Sequence, residues 1–318
     1  MLNRRILRIK VFKELFAIEM LPQSSLAQAN KELDAALEST RDLYLFMLAS
    51  IPALTDTAMA RFEQLKLKVN KTEQEKNPNM KFACNSLAAY FRQDPDFNKI
   101  ISKKKLDWGA YDLILKKIYA SIQTKPYYTQ YMASQGTSLA EDCALFCRIF
   151  EEEFVDRDDL ELALEDLSIY WNDDLAYSLT CCCRTLDEIG KGKQWSLPTL
   201  YLSSQKSGME DDEKFVHKLM QEAYVNYPQY CAAISASVPN WDKERLVGTD
   251  IAIIVTALAE IVHLPSIPVN VSINEYVEIS KYYGTPKSRA FVNGVLDRIV
   301  KQLDAEGAIN KTVQNLNV

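Results

Sequence analysis

Apolar residues recur along this chain at spacings of three and four, and no stretch sustains the every-second-residue alternation of a half-buried strand. Residues 3–20 (NRRILRIKVFKELFAIEM) set the pattern: Leu7, Val11 and Ile18 align on one stripe, and Asn3 stands where a helix takes its N-cap. From Ser25 the helical pattern runs to about Ala49, breaks at Pro52 and resumes from Asp56 to Val69. Lys71 to Met80 is polar, contains a proline and reads as a loop. Helices are predicted over 81–92, 109–123, 126–134, 138–155, 158–169 and 173–189, with breaks at Asp94-Pro95 and Lys125-Pro126. Gly190 to Gly208 carries Gly192, Pro198 and several serines and reads as a linker or long loop; the spans 211–224, 228–236 and 243–264 beyond it are helical again. The fold class is therefore all-α, divided into an N-terminal helical region at 1–205 and a C-terminal helical subdomain at 206–318.

The stretch from Asn270 to Arg298 is the most explicit. Ser272 and Glu275 have capping-box spacing, which predicts a helix start, and Val277, Ile279 and Tyr282 continue its apolar positions. Gly284 ends it, as a residue free to enter the left-handed region. Thr285 then serves as N-cap and Pro286 as first helical residue, with Phe291, Val292, Val295, Leu296 and Ile299 as the buried stripe. Lys287, Ser288 and Arg289 thus occupy a helix N-terminus, where free backbone N–H groups, the positive end of the helix dipole and two basic side chains suit a phosphate.

Composition changes this picture little. Nine glycines in 318 residues is about half the usual frequency of roughly 7% and argues against glycine-rich phosphate loops. A formal charge of −6 argues against a surface coated with basic residues for bulk nucleic-acid binding but leaves room for a local site. Residues 3–20 hold such an asymmetry: Arg4, Arg5 and Arg8 fall within an arc of about 100°, and five basic residues against Glu14 and Glu19 leave three positive charges in excess. A solvated basic face and a binding face are the two readings of that segment. The acidic run Glu151 to Asp166 reads as a solvated face, and Trp108, Tyr127, Tyr128 and Trp171 as core. Ile251 to Val262, the longest strongly apolar run, is too short to span a bilayer, so no membrane segment is expected. Seven cysteines, an odd number with no secretory signal, point to reduced thiols in a cytoplasmic protein. With only His217 and His263 available, buried thiols are expected rather than a metal site, and no cofactor motif is present.

The run from Ile273 to Asp297 (INEYVEISKYYGTPKSRAFVNGVLD) closely resembles the C-terminal signature of the NusB family of bacterial transcription antitermination factors. The resemblance extends back through FVHKLMQEAY and the P-x-x-x-x-I-N-E turn, and the arginine-rich opening RRILRIKVFKELF fits the family's first helix. It implies NusB-like helical bundles carrying a large helical insertion after the N-terminal helix, within about 21–205. It also implies binding of boxA RNA, a leader element of ribosomal RNA operons, together with a small-subunit ribosomal protein that acts as NusE, in support of the transcription elongation complex. On that resemblance Arg4, Arg5 and Arg8 would contact phosphates, and Lys287, Ser288, Arg289, Phe291 and Asn293 would form a second wall. Phe291 has two readings, a base-stacking platform or a cap on the core. Phe16 and Asp250 align with partner-facing positions. The chain departs from the family where Lys287 replaces a common acidic residue and Phe16 a usual tyrosine.

Two other functions come from different classes. A helical protein-interaction module in ribosome assembly would keep the fold and work through protein contacts. An enzyme is suggested because NusB-like domains also occur fused to RNA cytosine methyltransferases. No G-x-G-x-x-G after a strand, no P-loop and no nucleophile–base–orienter set is present, so a non-enzyme is expected.

Overall fold

The structure, a computed structural model, describes residues 1–19, 25–70, 72, 76–136, 138–201, 211–238 and 248–312. Met20 of the first predicted helix, residues 71 and 73–75 of the predicted loop, 202–208 of the linker and 243–247 of the helix before Leu264 lie outside the described residues. Among the described residues there are 14 α-helices and no strands. In chain order they are α1 (Arg4–Glu19), α2 (Leu26–Leu67), α3 (Ser86–Gln93), α4 (Pro95–Lys104), α5 (Asp112–Ile122), α6 (Pro126–Ala133), α7 (Leu139–Ile149), α8 (Asp158–Leu167), α9 (Leu175–Gly190), α10 (Asp212–Val225), α11 (Tyr227–Ser237), α12 (Gly248–His263), α13 (Val269–Tyr283) and α14 (Ser288–Ala305). They form two compact units, one of Met1–Leu37 with Thr199–Val318, the other of Glu38–Pro198. The first 37 residues therefore group with Thr199–Val318 and not with Glu38–Pro198.

The first unit is built around α12. Every residue from Ala252 to Ile261 is buried, and α1, α10, α11, α13 and α14 all pack on this helix. A helix this apolar, with only Asp250, Thr256 and Glu260 as buried polar side chains, has no solvent side over that stretch and is enclosed by others. Each large aliphatic side chain buried there contributes about 1.5–3 kcal/mol. The N-terminus of α1 is fixed as the sequence predicts, with the Ile6 N–H donating to Asn3 Oδ1 at 3.0 Å. The Leu2 N–H donates to the Leu200 carbonyl at 2.9 Å and Leu2 is fully buried.

In the second unit α7 packs along α9, and an aromatic cluster fills the remainder. Phe46 stacks on Trp108 with ring centroids 4.5 Å apart, and Trp108 Nε1 donates to the Phe46 carbonyl at 2.8 Å. Trp108, Tyr128 and Trp171 are buried as expected, while Tyr127 is half-buried. Glu153 departs from the solvated acidic run, because it is buried against Lys125.

Two local expectations are corrected here, at Pro52 and in the linker. Pro52 does not break the chain into two helices but lies inside α2. The turn around it is held from outside, since Arg92 Nη2 donates to the Pro52 carbonyl and to Thr55 Oγ1 and Asp56 Oδ1. The break expected at Asp94-Pro95 separates α3 from α4, a helix not predicted from the sequence: Asp94 Oδ1 accepts from the Phe97 N–H at 2.8 Å and Pro95 takes the first turn of α4. By length and composition α2 could cross a membrane, but 72% of its most apolar 18-residue window is buried inside the protein, as in a core helix. Residues 193–198, predicted as linker, belong to the second unit, where Trp195 is buried and its indole N–H donates to the Tyr44 hydroxyl at 3.1 Å.

Candidate functional site

The predicted arginine wall does assemble. Arg4, Arg5 and Arg8 line one depression of about 480 Å³ with Asn3, Ser266, Pro268, Val271 and Glu275. Each guanidinium, however, is already engaged. Arg8 is 4% exposed, and its Nε and Nη2 donate to the two carboxylate oxygens of Glu260 at 2.7 and 2.8 Å. Glu260, fully buried, also accepts from the Ser272 hydroxyl at 2.7 Å and the Tyr276 hydroxyl at 3.1 Å. Burial alone would lower the Arg8 pKa, but the Glu260 charge and hydrogen bonds reverse this and hold it above its ordinary value. Arg5, more exposed, grips Glu275 in a bidentate pair at 2.8 and 2.7 Å. The Arg5 hydrogen bond in turn depresses the Glu275 pKa against the effect of burial, and Arg8 adds to it. Arg4 donates to Asp212 Oδ1 at 3.0 Å and lies over the Phe215 ring.

This network explains a misread signal. Ser272 and Glu275 have capping-box spacing, but α13 starts one turn earlier, at Val269 after Pro268. Neither side chain caps a helix, since the hydroxyl goes to Glu260 and the carboxylate to Arg5. Arg8 is the main correction. A phosphate needs accessible N–H groups, and those of Arg8 are turned to a buried carboxylate inside the fold.

The second wall is the connection from α13 to α14. Lys287 is the N-cap residue and Ser288 and Arg289 begin α14, so the three do stand at a helix N-terminus, but the helix starts two residues later than the Thr285 cap and Pro286 start expected from the sequence. Ser288, 1% exposed, is turned inward and donates to Asp250 Oδ2 at 2.7 Å, while the Thr285 N–H donates to Ser288 Oγ at 2.8 Å. Asp250 is likewise buried, its Oδ1 accepts no hydrogen bond, and burial raises its pKa against the pull of the Ser288 hydrogen bond. The Ser288–Asp250 bond ties the N-termini of α12 and α14 together and leaves neither residue on the surface for a partner. Gly284 is extended, not left-handed, with φ −103°. Close approach demands glycine there, because a Cβ would stand 2.3 Å from Ser288 Cβ.

Phe291 is 9% exposed and belongs to the core stripe. Lys287, Arg289 and Asn293 are exposed, and Phe16 is half-buried. Tyr282, expected on the buried stripe, is 80% exposed, and Tyr276 takes its place in the core. Helical phase could have found this, since six residues separate the two around a 3.6-residue turn. α13 lies between the two walls. Lys281, by a direct hydrogen bond, then Arg289 and Arg5 by their charge hold the Glu278 carboxyl below its ordinary range, so the cations of both walls reach one surface acid. Among the described residues no three His, Cys, Asp or Glu side chains gather to hold a metal ion.

Residues 184–301, which contain α10 to α13 and most of α14, match the NusB family. Curated relatives agree. Transcription antitermination protein NusB of Alkaliphilus oremlandii is 36% identical over 93 residues, 29% of this chain and 67% of that protein. That of Geobacter sulfurreducens is 32% identical over 116 residues, 36% of this chain and 84% of that protein. The chain belongs to the NusB family.

The NusB match begins inside α9, so the preceding region is extra to it; α1 also precedes the match and packs on α10 and α12, within the first unit. NusB of Chloroherpeton thalassium is 33% identical over 102 residues, but only 48% of that protein is covered. No solved structure matches the chain.

Proposed function

We propose that this NusB-family chain is an RNA-binding transcription antitermination factor. It binds boxA-type single-stranded RNA of ribosomal RNA operons with a small-subunit ribosomal protein in the role of NusE, and so supports processive transcription by RNA polymerase. The observation that carries this reading is the exposed set at the end of α13 and the start of α14, Tyr282, Lys287, Arg289 and Asn293. Two cations at a helix N-terminus attract phosphate, an amide supplies donor and acceptor to a base edge, and an exposed aromatic offers a stacking face. Arg5 extends the set across α13. Arg8, Ser288, Phe291 and Asp250 support this surface from beneath, and Arg4 retains only an edge. The role needs no catalytic group.

Anisotropy titrations of the full chain with boxA-like and scrambled RNA at physiological salt, with and without the ribosomal partner, test it. Preference for the boxA-like strand is the expected result; equal affinity for both RNAs in both conditions would overturn the reading. One observation favours a protein-interaction module in ribosome assembly instead: all three α1 arginines are paired with carboxylates, which removes phosphate-binding charge from that wall. Tight binding of the ribosomal protein with no sequence-selective RNA binding would favour that second reading.

A further inference from the structure

Seven cysteines were expected to be buried, but only Cys143, Cys181 and Cys182 are; Cys84 is exposed, and Cys147, Cys183 and Cys231 are half-buried. Two of the half-buried thiols meet. Cys147 lies on α7 and Cys183 on α9, with Cys147 Sγ 3.7 Å from the Cys183 carbonyl oxygen. Small residues bring these helices close together. A Cβ on Gly190 would stand 3.4 Å from Ala140 Cα and 3.6 Å from Cys143 Cβ, so one face of α7 (Ala140, Cys143, Cys147) runs along α9 with little side-chain bulk between. Cys182 by contrast is enclosed, with its Sγ directed at the Tyr44 carbonyl.

We propose that Cys147 and Cys183 form a dithiol oxidation site at which a hydroperoxide closes a disulfide between α7 and α9. Cys183 is the attacking sulfur. The Cys147 S–H donates to the Cys183 carbonyl at 3.7 Å, which favours Cys147 as the neutral thiol, and the neighbouring Cys147 thiol lowers the Cys183 pKa while burial and Glu151 work against the Cys183 thiolate. The Cys183 thiolate attacks a peroxide oxygen; the O–O bond breaks, water departs after taking up a proton, and Cys183 becomes a sulfenic acid. Cys147 then attacks the Cys183 sulfur; the S–S bond forms, the S–O bond breaks, and the hydroxide leaves as a second water with the Cys147 proton. Two thiols and one hydrogen peroxide give one disulfide and two waters, with two electrons passing from sulfur to oxygen. The crosslink would staple the extra region to the helix in which the NusB match begins.

The full-length reduced protein, exposed to hydrogen peroxide and quenched with N-ethylmaleimide, is digested and analysed by mass spectrometry without reduction. The expected product is a peptide pair linked through Cys147 and Cys183, formed in a yield independent of protein concentration, while Cys84 retains maleimide. In Cys147→Ser, whose fold is checked by circular dichroism, Cys183 should carry the sulfenic-acid label dimedone, with at least several-fold more label than Cys147 in Cys183→Ser. The proposal is overturned if no such pair forms under conditions that oxidise Cys84, or if Cys147 links to other cysteines as often as to Cys183. Equal dimedone labelling in the two variants would overturn the assignment of Cys183 as the attacking sulfur.

Discussion

The two basic segments of the NusB-like unit have similar residues and opposite fates. On α1, Arg4, Arg5 and Arg8 are paired with Asp212, Glu275 and Glu260. At the start of α14, Lys287 is exposed with no ion pair among the described residues, and Arg289, also exposed, acts on Glu278 only through its charge. Both segments read as phosphate-binding in the sequence. Burial and the identity of the facing helix decide between them, because α1 lies on α12, whose Glu260 sits in the core, whereas α14 begins at a solvent-facing turn. A run of arginines measures positive charge; whether that charge is available to a ligand depends on the acids the fold brings opposite it.

The largest expected effect tests the buried side of this comparison. Arg8→Ala leaves Glu260 charged and unpaired in the core and should destabilise the protein by about 3–5 kcal/mol, whereas Arg289→Ala should stay within about 0.5 kcal/mol. Urea unfolding of the two variants measures both. Pairing Arg8→Met with Glu260→Gln should recover most of the loss, since no buried charge then remains. Equal stabilities for Arg8→Ala and Arg289→Ala would erase the distinction. Next in size is Gly284→Ala, where the 2.3 Å approach to Ser288 should cost about 1–3 kcal/mol and shift the turn that presents Lys287. Thermal melting reports the loss, and an unchanged melting temperature would show that the turn relaxes freely.

Arg5→Ala should cost under about 1 kcal/mol, as expected of a pair with an exposed arginine, and a loss comparable to that of Arg8→Ala would place Arg5 in the core clasp. A pH-dependent effect concerns an acid on α1. Burial, with Glu32 nearby, pushes Glu14 from 4.5 to about 7. Because the folded state holds this proton more tightly, its contribution to stability is full below about 4.5 and is lost as pH rises through about 7. Glu14→Gln should therefore match the parent near pH 4.5 and exceed it at pH 8 in urea unfolding.

Much of this was legible in the sequence, and the misses have physical causes. The strongly apolar run at α12 lies in a span read as helical, and Asn3 and the Lys287–Arg289 position were read correctly as helix N-terminal features because those signals are local. Ser272, Glu275 and Arg8 were misread because each has a plausible local role, capping or phosphate contact, that a long-range hydrogen bond overrides. Gly284 was expected to adopt a left-handed conformation, when the reason for glycine there is the proximity of Ser288. Pro52 was read as a break because sequence alone gives no sign of Arg92 bonding across to its turn. Tyr282 and Tyr276 differ only in helical phase, and that phase was available.

The measurement that tests the central claim most directly is the salt dependence of boxA-like RNA binding by the parent chain and by Lys287→Ala with Arg289→Ala. If the α14 N-terminus holds phosphates, the double variant should bind more weakly and the slope of log affinity against log salt should become shallower by about 1–2 units, because each lost phosphate contact removes about one released counterion. An unchanged slope and affinity would contradict the account and return α13, the turn and α14 to a purely structural role.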